Sequence, residues 1–235
     1  MRQAVILVGG RGTRLGDIAR NVPKPMLPIS GDRTFLDYVI ANFAHHGARE
    51  VLLLAGHLAE VVRRRYDGAE IGGAGVRVFA EPAPAGTAGA LRYAADALDD
   101  TFLMSNGDAI IDMNHHELEQ ALSPADSGVL ALRRMPDGSR YGRVEMDGRR
   151  IVAFHEKDVA FRGEALISAG LYALRRNVLD LIATTPCSIE TDVFPRLAAS
   201  GLLCGVESSA YFIDIGLPET LEEARTTVPA HFGRQ

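Results

Sequence analysis

Residues 4–8, Ala-Val-Ile-Leu-Val, form a continuous apolar run rich in β-branched side chains, and Gly9-Gly10 ends it. A run without alternation predicts a strand covered on both faces, as in the middle of a parallel sheet. Helical periodicity follows over residues 35–46 and stops at Gly47, a second buried strand is predicted over 50–55, and a second helix over 58–66. Residues 76–80 read as a third strand. Beyond the Pro/Gly-rich loop 81–87 an Ala-rich segment to Leu98 reads as helix, and 102–105 as a fourth strand ending in Asn106-Gly107-Asp108. Strands that alternate with helices predict a doubly wound α/β sheet, which binds ligands beyond the carboxyl ends of its strands.

The second half changes character. Residues 128–133, 141–146, 151–156 and 166–174 read as strands joined by short turns at Pro136-Asp137-Gly138 and Asp147-Gly148, a pattern of antiparallel pairing appended to the sheet. Helices over 178–183 and 190–199, strands over 202–206 and 211–214, and a helix after Pro218 complete the chain. With no internal repeat and no linker-like stretch, residues 1–235 are expected to form one domain, its halves meeting near residue 112.

Composition narrows the function classes. The chain has 235 residues, a formal charge of −5, 47% hydrophobic and 6% aromatic residues, which is a soluble globular composition. The acidic balance argues against a nucleic-acid partner, and the basic run Arg63-Arg64-Arg65 is short enough to be a solvated helix face. The apolar run at the start is too short for a signal-peptide core or a membrane span, so the expected location is the cytoplasm, with no membrane partner. Cys187 and Cys204 fit neither a disulfide framework nor a zinc site and read as idle thiols. In the pairs His45-His46 and His115-His116 adjacent helical side chains point about 100° apart and cannot share an ion, so both pairs read as helix-surface residues.

The candidate chemistry begins where the first strand runs into Gly9-Gly10-Arg11-Gly12-Thr13-Arg14-Leu15. Glycines leaving a parallel strand let backbone N–H groups approach phosphate oxygens unobstructed. The loop lacks the Gly-Lys-Ser/Thr of a P-loop and carries Leu15 in place of the third glycine of the dinucleotide fingerprint, which makes a dehydrogenase the minor alternative. Lys24 follows between Pro23 and Pro25, where Pro25 should hold it extended, a pinned cation beside the candidate phosphate loop. Of 25 basic residues only Lys24 and Lys157 are lysine.

Gly10-Arg11-Gly12-Thr13-Arg14-Leu15 and Pro23-Lys24-Pro25-Met26-Leu27-Pro28-Ile29 resemble the signature of the sugar-1-phosphate nucleotidyltransferases, a GxGTRL loop followed by PKPMLPI, and matching pieces recur along the whole chain. Glu81-Pro82 with Gly86-Thr87-Ala88-Gly89-Ala90, and the segment from Tyr211 to Glu219, look most similar to the D-glycero-α-D-manno-heptose 1-phosphate and mannose 1-phosphate guanylyltransferases. The resemblance implies a Rossmann-like doubly wound mixed sheet, the nucleotide-diphospho-sugar transferase fold. It implies a nucleotide-binding half over about 1–112 and a sugar-binding half over about 113–235. Leu7, Gly9, Gly10, Gly12, Thr13, Arg14, Lys24, Glu81, Gly86 and Thr87 would contact nucleotide, with Arg14, Lys24 and Asp108 catalytic.

Asp108, Tyr141, Gly142, Glu156, Lys157, Ser168 and Gly170 would contact the sugar phosphate, and Asp108 with Asp214 would hold Mg²⁺. Asp112 is a rival for Asp108, and Ser168 stands where the family carries asparagine. Glu81 replaces the glutamine common in uridylyl- and thymidylyl-transferring relatives, and a carboxylate can accept from guanine N1–H and N2–H. The partners implied are a nucleoside triphosphate, GTP before UTP, and a sugar 1-phosphate that attacks its α-phosphorus to release pyrophosphate. Two alternatives are a UTP-dependent uridylyltransferase for an N-acetylamino sugar 1-phosphate and a non-catalytic subunit that binds sugar nucleotides. The oligomeric state stays open, a homodimer being one option.

Overall fold

The computed structural model describes residues 1–10 and 12–233; Arg11 of the glycine-rich motif and the last two residues lie outside the described residues. The first half supplies β1 (Gln3–Leu7), the small ribbon β2 (Pro28–Ser30) and β3 (Arg33–Thr34), α1 (Phe35–His45), β4 (Glu50–Ala55) and α2 (Ala59–Tyr66). β5 (Glu70–Ile71), β6 (Ala74–Ala80), the single turn α3 (Gly86–Gly89) and β7 (Thr101–Asn106) follow. The second half contributes β8 (Ala109–Ile111), α4 (His115–Ala121), β9 (Gly128–Met135), β10 (Arg143–Asp147), β11 (Arg150–His155) and β12 (Ala165–Arg175). It ends with α5 (Phe194–Ala199), β13 (Leu203–Glu207), β14 (Phe212–Asp214) and α6 (Pro218–Phe232).

Ten strands form one mixed sheet in the order β10-β11-β13-β9-β12-β7-β1-β4-β6-β5. β7, β1, β4 and β6 are parallel neighbours, so Val5 of β1 lies between Leu52 and Met104. Both faces of that block are covered, which is why the run 4–8 is apolar throughout. Ala4, Ile6 and Val8 pack into a core with Phe35, Ile40, Leu53 and Val228, while Val5 joins Leu52, Leu91, Phe102, Tyr172 and Phe194 on the opposite face. Each fully buried Val, Leu, Ile or Phe among them contributes about 1.5–3 kcal/mol.

The antiparallel half is not a simple meander. β12 inserts between β7 and β9, antiparallel to both, β13 runs parallel to β9, and the β10–β11 hairpin lies at the edge. Burial decides this order: eight consecutive residues of β12 are buried, which only an interior strand satisfies, whereas β10 and β11 alternate with exposed positions. Three predicted helices also change form. The Ala-rich segment becomes α3 plus a 3₁₀ stretch Ala90–Ala97, the helix predicted over 178–183 is a 3₁₀ stretch Arg176–Leu181, and a π turn Ile189–Val193 precedes α5. In the π turn the Phe194 N–H bonds back to the Ile189 carbonyl, and Pro195, which has no N–H to donate, follows as the second residue of α5.

Of the four histidines expected on helix surfaces only His45 and His116 are exposed: His46 is half-buried beside Asp112, and His115 is 1% exposed, packed on Phe43 and 4.3 Å from the His46 ring. Burial, then the neighbouring His46, the N-terminal ammonium and His45, hold its pKa well below the ordinary histidine value. It is therefore a neutral core side chain, buried against Phe43 and His46, contacts that no local pattern shows.

The edge hairpin is tied to the root of β9 by Asp126, whose side chain is fully buried and accepts from Ser123 Oγ (2.7 Å), Arg149 Nη2 (2.5 Å) and Arg150 Nη1 (2.5 Å). Burial pushes the Asp126 pKa up, but those hydrogen bonds outweigh it and hold the pKa at about 2 against 3.8. The folded-state pKa is depressed, so the stabilisation is complete above about pH 4 and is lost as the pH falls toward 2. Asp126→Asn should cost about 2 kcal/mol at pH 7. Thermal melts followed by circular dichroism should show the gap from wild type closing between about pH 4 and 2.

Candidate active site

The carboxyl ends of β1, β4, β6 and β7 open on a cavity of about 690 Å³, at the place where open α/β sheets bind ligands. Of the residues expected to act, Leu7, Gly9, Gly10, Lys24, Glu81, Gly86, Thr87, Asp108 and Lys157 line it. Backbone crowding explains the glycines. A methyl on Gly56, just past β4, would lie 3.1 Å from Gly9 Cα and 3.2 Å from Gly9 O, and one on Gly107 would lie 2.5 Å from the Leu7 carbonyl. Adjacent strand ends can therefore approach closely only where Cβ is missing.

Lys24 opens a 3₁₀ turn, Lys24–Met26, closed by Met26 N–H donating to the Pro23 carbonyl at 2.7 Å. The extended conformation expected before Pro25 is thus replaced by a turn, because tertiary contacts outweigh the local preference. The result is a cation packed near Gly12 and Pro25 with Nζ 2.6 Å from Asp108 Oδ2 and a side chain only 13% exposed. Gly12 adopts the left-handed conformation at φ 62°. Thr13 and Arg14 sit on the following 3₁₀ stretch, Thr13–Ala19, exposed and outside the cavity lining.

Glu81 leaves β6 with its N–H bonded to the Ala55 carbonyl. Its Oε2 accepts from the Ala85 N–H at 3.0 Å. Its Oε1 hangs over the Gly9–Gly56 contact, 3.2 Å from where a Gly9 methyl would stand. The loop it begins is pinned from the far side: Ala88 and Gly89 donate to the Cys187 carbonyl, Cys187 donates to the Ala85 carbonyl, and Ile189 N–H donates to Thr87 Oγ1 at 2.8 Å. Gly86 has φ 77°, and a side chain there would collide with the Cys187 backbone. This pinning also carries Glu190 into the cavity, where Oε2 lies 3.7 Å from Lys157 Nζ.

The second expected aspartate is reached through the ribbon β8–β14, which pairs Asp214 with Ala109, while Ile215 N–H donates to the Asp108 carbonyl. Asp108 and Asp214 thereby become neighbours although 106 residues apart in sequence. Asp214 accepts from Tyr141 OH at 2.5 Å, Gly216 N–H at 2.8 Å and Arg140 Nη2 at 3.0 Å. Burial, then the Asp214 charge, keeps the Tyr141 hydroxyl protonated far above its usual pKa.

Tyr141, Gly142, Glu156, Ser168, Gly170 and Asp214 stand outside the cavity lining. Gly142 packs on the Phe154 ring and its carbonyl accepts from Ser168 N–H at 2.9 Å. The Ser168 hydroxyl is buried with no partner among the described residues, Gly170 (φ 77°) packs on Asn106, and Glu156 is exposed. Asp112 lies at the far end of the ribbon with His46 and His231 on its carboxylate.

Gly56, His57, Leu58, Asn106 and Glu190 line the cavity without having been singled out from the sequence. Gly56 and Asn106 follow predicted strands, so the strand-end rule could have found them. Leu58 is held at φ 58°, a left-handed conformation rare for a large side chain, at the cavity rim. Glu190 and Arg140 carry no such signal, because each reaches the site through a contact between distant segments.

Four parallel strand ends bring glycines and Asp108 to one cavity, joined there by Lys24 from its proline-flanked turn, at the place where open α/β sheets bind ligands. The chain belongs to the nucleotidyl transferase family, whose model matches residues 3–230. It is 33% identical to the D-glycero-alpha-D-manno-heptose 1-phosphate guanylyltransferase of Campylobacter jejuni, over 92% of this chain and 96% of that protein. An Aneurinibacillus thermoaerophilus protein of the same name is 30% identical over 95% and 96% of the two chains. The mannose-1-phosphate guanyltransferase of Yarrowia lipolytica is 33% identical over 92% of this chain, which spans 61% of that longer protein. The crystal structure of HddC from Yersinia pseudotuberculosis matches with a TM-score of 0.85 at 27% identity, over 97% of this chain and 100% of that one, and HddC is also known in complex with GMP-PN. The fold is that of the nucleotide-diphospho-sugar transferases.

Gly86→Ala tests whether the pinned loop shapes the nucleotide side. The variant should remain folded, because the strain can be relieved by moving a surface loop, and should lose at least about tenfold in nucleotide affinity measured by calorimetry, or about 1.4 kcal/mol. Unchanged affinity would mean that the loop does not meet the nucleotide.

Proposed function

We propose that this nucleotidyltransferase moves a guanylyl group from GTP to a sugar 1-phosphate, with D-glycero-α-D-manno-heptose 1-phosphate as first choice and mannose 1-phosphate as second. A phosphate oxygen of the sugar substrate attacks the α-phosphorus, the bond from that phosphorus to the bridging oxygen breaks, and pyrophosphate leaves. The observation that carries the guanine reading is the Glu81 carboxylate, oriented by Ala85 N–H with Oε1 over the glycine contact. A fixed carboxylate matches the paired N1–H and N2–H donors of guanine, whereas uracil offers one N–H. The guanylyltransferases among the relatives support the same choice.

Two anions must be held together, so positioning and charge neutralisation carry the chemistry. In this reading Gly9, Gly10, Gly12 and Thr13 offer backbone N–H groups to the triphosphate, with Arg14 and Lys24 as its cations. Lys157 meets the sugar phosphate, Glu156 a sugar hydroxyl, and Tyr141, Gly142, Ser168 and Gly170 shape the sugar side. Family membership implies a divalent metal ion. Among the described residues no group of three or more His, Cys, Asp or Glu is gathered for a metal. The neighbouring carboxylates of Asp108 and Asp214 nonetheless suit a hard cation whose remaining ligands are phosphate oxygens and water, and Mg²⁺ is the ion proposed. When bound it would supply charge neutralisation at the phosphates.

Pyrophosphate release measured over four nucleoside triphosphates and a panel of sugar 1-phosphates should be greatest with GTP and a heptose or mannose 1-phosphate. A preference for UTP with an N-acetylamino sugar would overturn the base and sugar assignments, and no turnover with any pair would favour a binding subunit. Glu81→Gln should lower kcat/KM for GTP more than for UTP, by about 1.5–3 kcal/mol; an unchanged ratio would place base reading on the backbone. Lys24→Arg should lose at least about tenfold in kcat/KM, roughly 1.4 kcal/mol, because a planar guanidinium needs room that the enclosed turn lacks.

A further inference from the structure

Asp214 is closed off by a side chain that none of the recognised motif roles includes. Arg140 directs Nη2 at both carboxylate oxygens, 3.0 Å from Oδ1 and 3.4 Å from Oδ2, while its Nε is buried with no partner among the described residues. The Arg140 side chain is 31% exposed and that of Asp214 14%, so the pair is neither solvated freely nor sealed in the core. Its surroundings bring the four charges together. A methyl on Gly216 would lie 2.6 Å from Asp214 Oδ1, 3.5 Å from Arg140 Nη2 and 3.7 Å from Lys24 Nζ. Lys24 in turn holds Asp108 at 2.6 Å. Each carboxylate thus has its own cation, Lys24 for Asp108 and Arg140 for Asp214, and the cluster is electrically balanced.

A guanidinium is a rigid fork of five N–H donors suited to two parallel bonds with a carboxylate or phosphate. Here one nitrogen serves both oxygens, and the remaining donors include a buried, unsatisfied Nε–H, whose lost hydration is uncompensated. The arrangement is therefore poised for a better acceptor. A doubly charged cation drawn to Asp214 must compete with the guanidinium for the same oxygens, and an incoming phosphate dianion offers the fork the geometry it lacks.

Resting on the reading of Asp108 and Asp214 as metal carboxylates, we propose that Arg140 is the resident counter-cation of Asp214 and passes from that carboxylate to the phosphate of the sugar 1-phosphate when Asp214 takes a divalent metal. Arg140 then does two things at one place. It keeps a half-buried carboxylate neutralised while the site is empty, and it becomes a fourth phosphate-handling cation beside Arg14, Lys24 and Lys157 during turnover. Metal and sugar phosphate are thereby coupled through a single side chain, each favouring the position of Arg140 that admits the other.

The test titrates Mn²⁺ into the full-length protein without substrates, reading free Mn²⁺ by electron paramagnetic resonance. Wild type is compared with Arg140→Gln, Arg140→Met, Arg140→Lys, Asp108→Asn and Asp214→Asn, and circular dichroism melts verify folding of each. Removing the competing charge should lower the Mn²⁺ Kd by about fivefold or more in the two neutral variants, while Arg140→Lys stays near wild type. In the steady state the KM for sugar 1-phosphate should rise at least about tenfold in the neutral variants, with the KM for the nucleotide changed far less. An unchanged or weaker Mn²⁺ affinity in both neutral variants overturns the proposal, weaker binding meaning that Arg140 merely orients Asp214. An unchanged sugar-phosphate KM overturns the transfer to phosphate. If Asp108→Asn and Asp214→Asn both bind Mn²⁺ like wild type, the metal reading itself fails and the proposal falls with it, an outcome distinct from failure of the Arg140 variants alone.

Discussion

The site depends on how closely parallel strand ends can approach. β1, β4 and β7 are neighbours in the sheet, and where they stop their backbones meet at Gly9, Gly56 and Gly107; a methyl group on Gly56 would crowd the Gly9 main chain and one on Gly107 would strike the Leu7 carbonyl. The strand ends can therefore close on one another and leave a cavity lined by Leu7, Gly9, Gly10, Gly56 and Gly107. Everything else is arranged around that cavity. The turn carrying Lys24 packs against Gly107 through Pro25, the Glu81 carboxylate lies over Gly9 and Gly56, and the chain past β7 delivers Asp108.

Electrostatics supplies the second organising element. Glycines alone would give a concave surface indifferent to charge, but Lys24 and Lys157 line the same cavity as Asp108, Glu81 and Glu190. Most of these charges are paired across long stretches of sequence: Lys24 with Asp108, Lys157 with Glu190, and Arg140 with Asp214 just outside. Lys24, Asp214 and Glu190 are each mostly shielded from solvent, while their partners Asp108, Arg140 and Lys157 are more open to it. The two lysines of an otherwise arginine-based chain both sit in these pairs, where a compact ammonium can reach one oxygen without the width of a guanidinium.

Much of this was legible in the primary structure. The predicted strand over 50–55 coincides with β4, and the helix over 35–46 with α1 to within a residue, because burial on both sheet faces leaves an uninterrupted apolar run and because Thr34 caps the helix with Asp37. The antiparallel pairing was legible, but the place of β12 between β7 and β9 was not, since short turns reveal which strands follow one another and say little about which lie side by side. His115 was misplaced for the same reason: seven residues of α4 cannot show that Phe43 and His46 cover one of them.

By itself the sequence determined the periodicity of its elements, the glycine-rich loop after β1, the proline-flanked Lys24 and the acidic residues past the strand ends, because each of these is written within a few neighbouring positions. Only the tertiary structure decided which of them meet. Asp108 and Asp214 become neighbours through the β8–β14 ribbon, Glu190 enters the cavity because the loop after β6 is hydrogen-bonded to Cys187 and Ile189, and Arg140 finds Asp214 from 74 residues away. The physical reason is one of range. Backbone propensity and side-chain periodicity act over a turn or a strand, whereas the pairing of two charges depends on the full three-dimensional path between them, and no local pattern encodes that path.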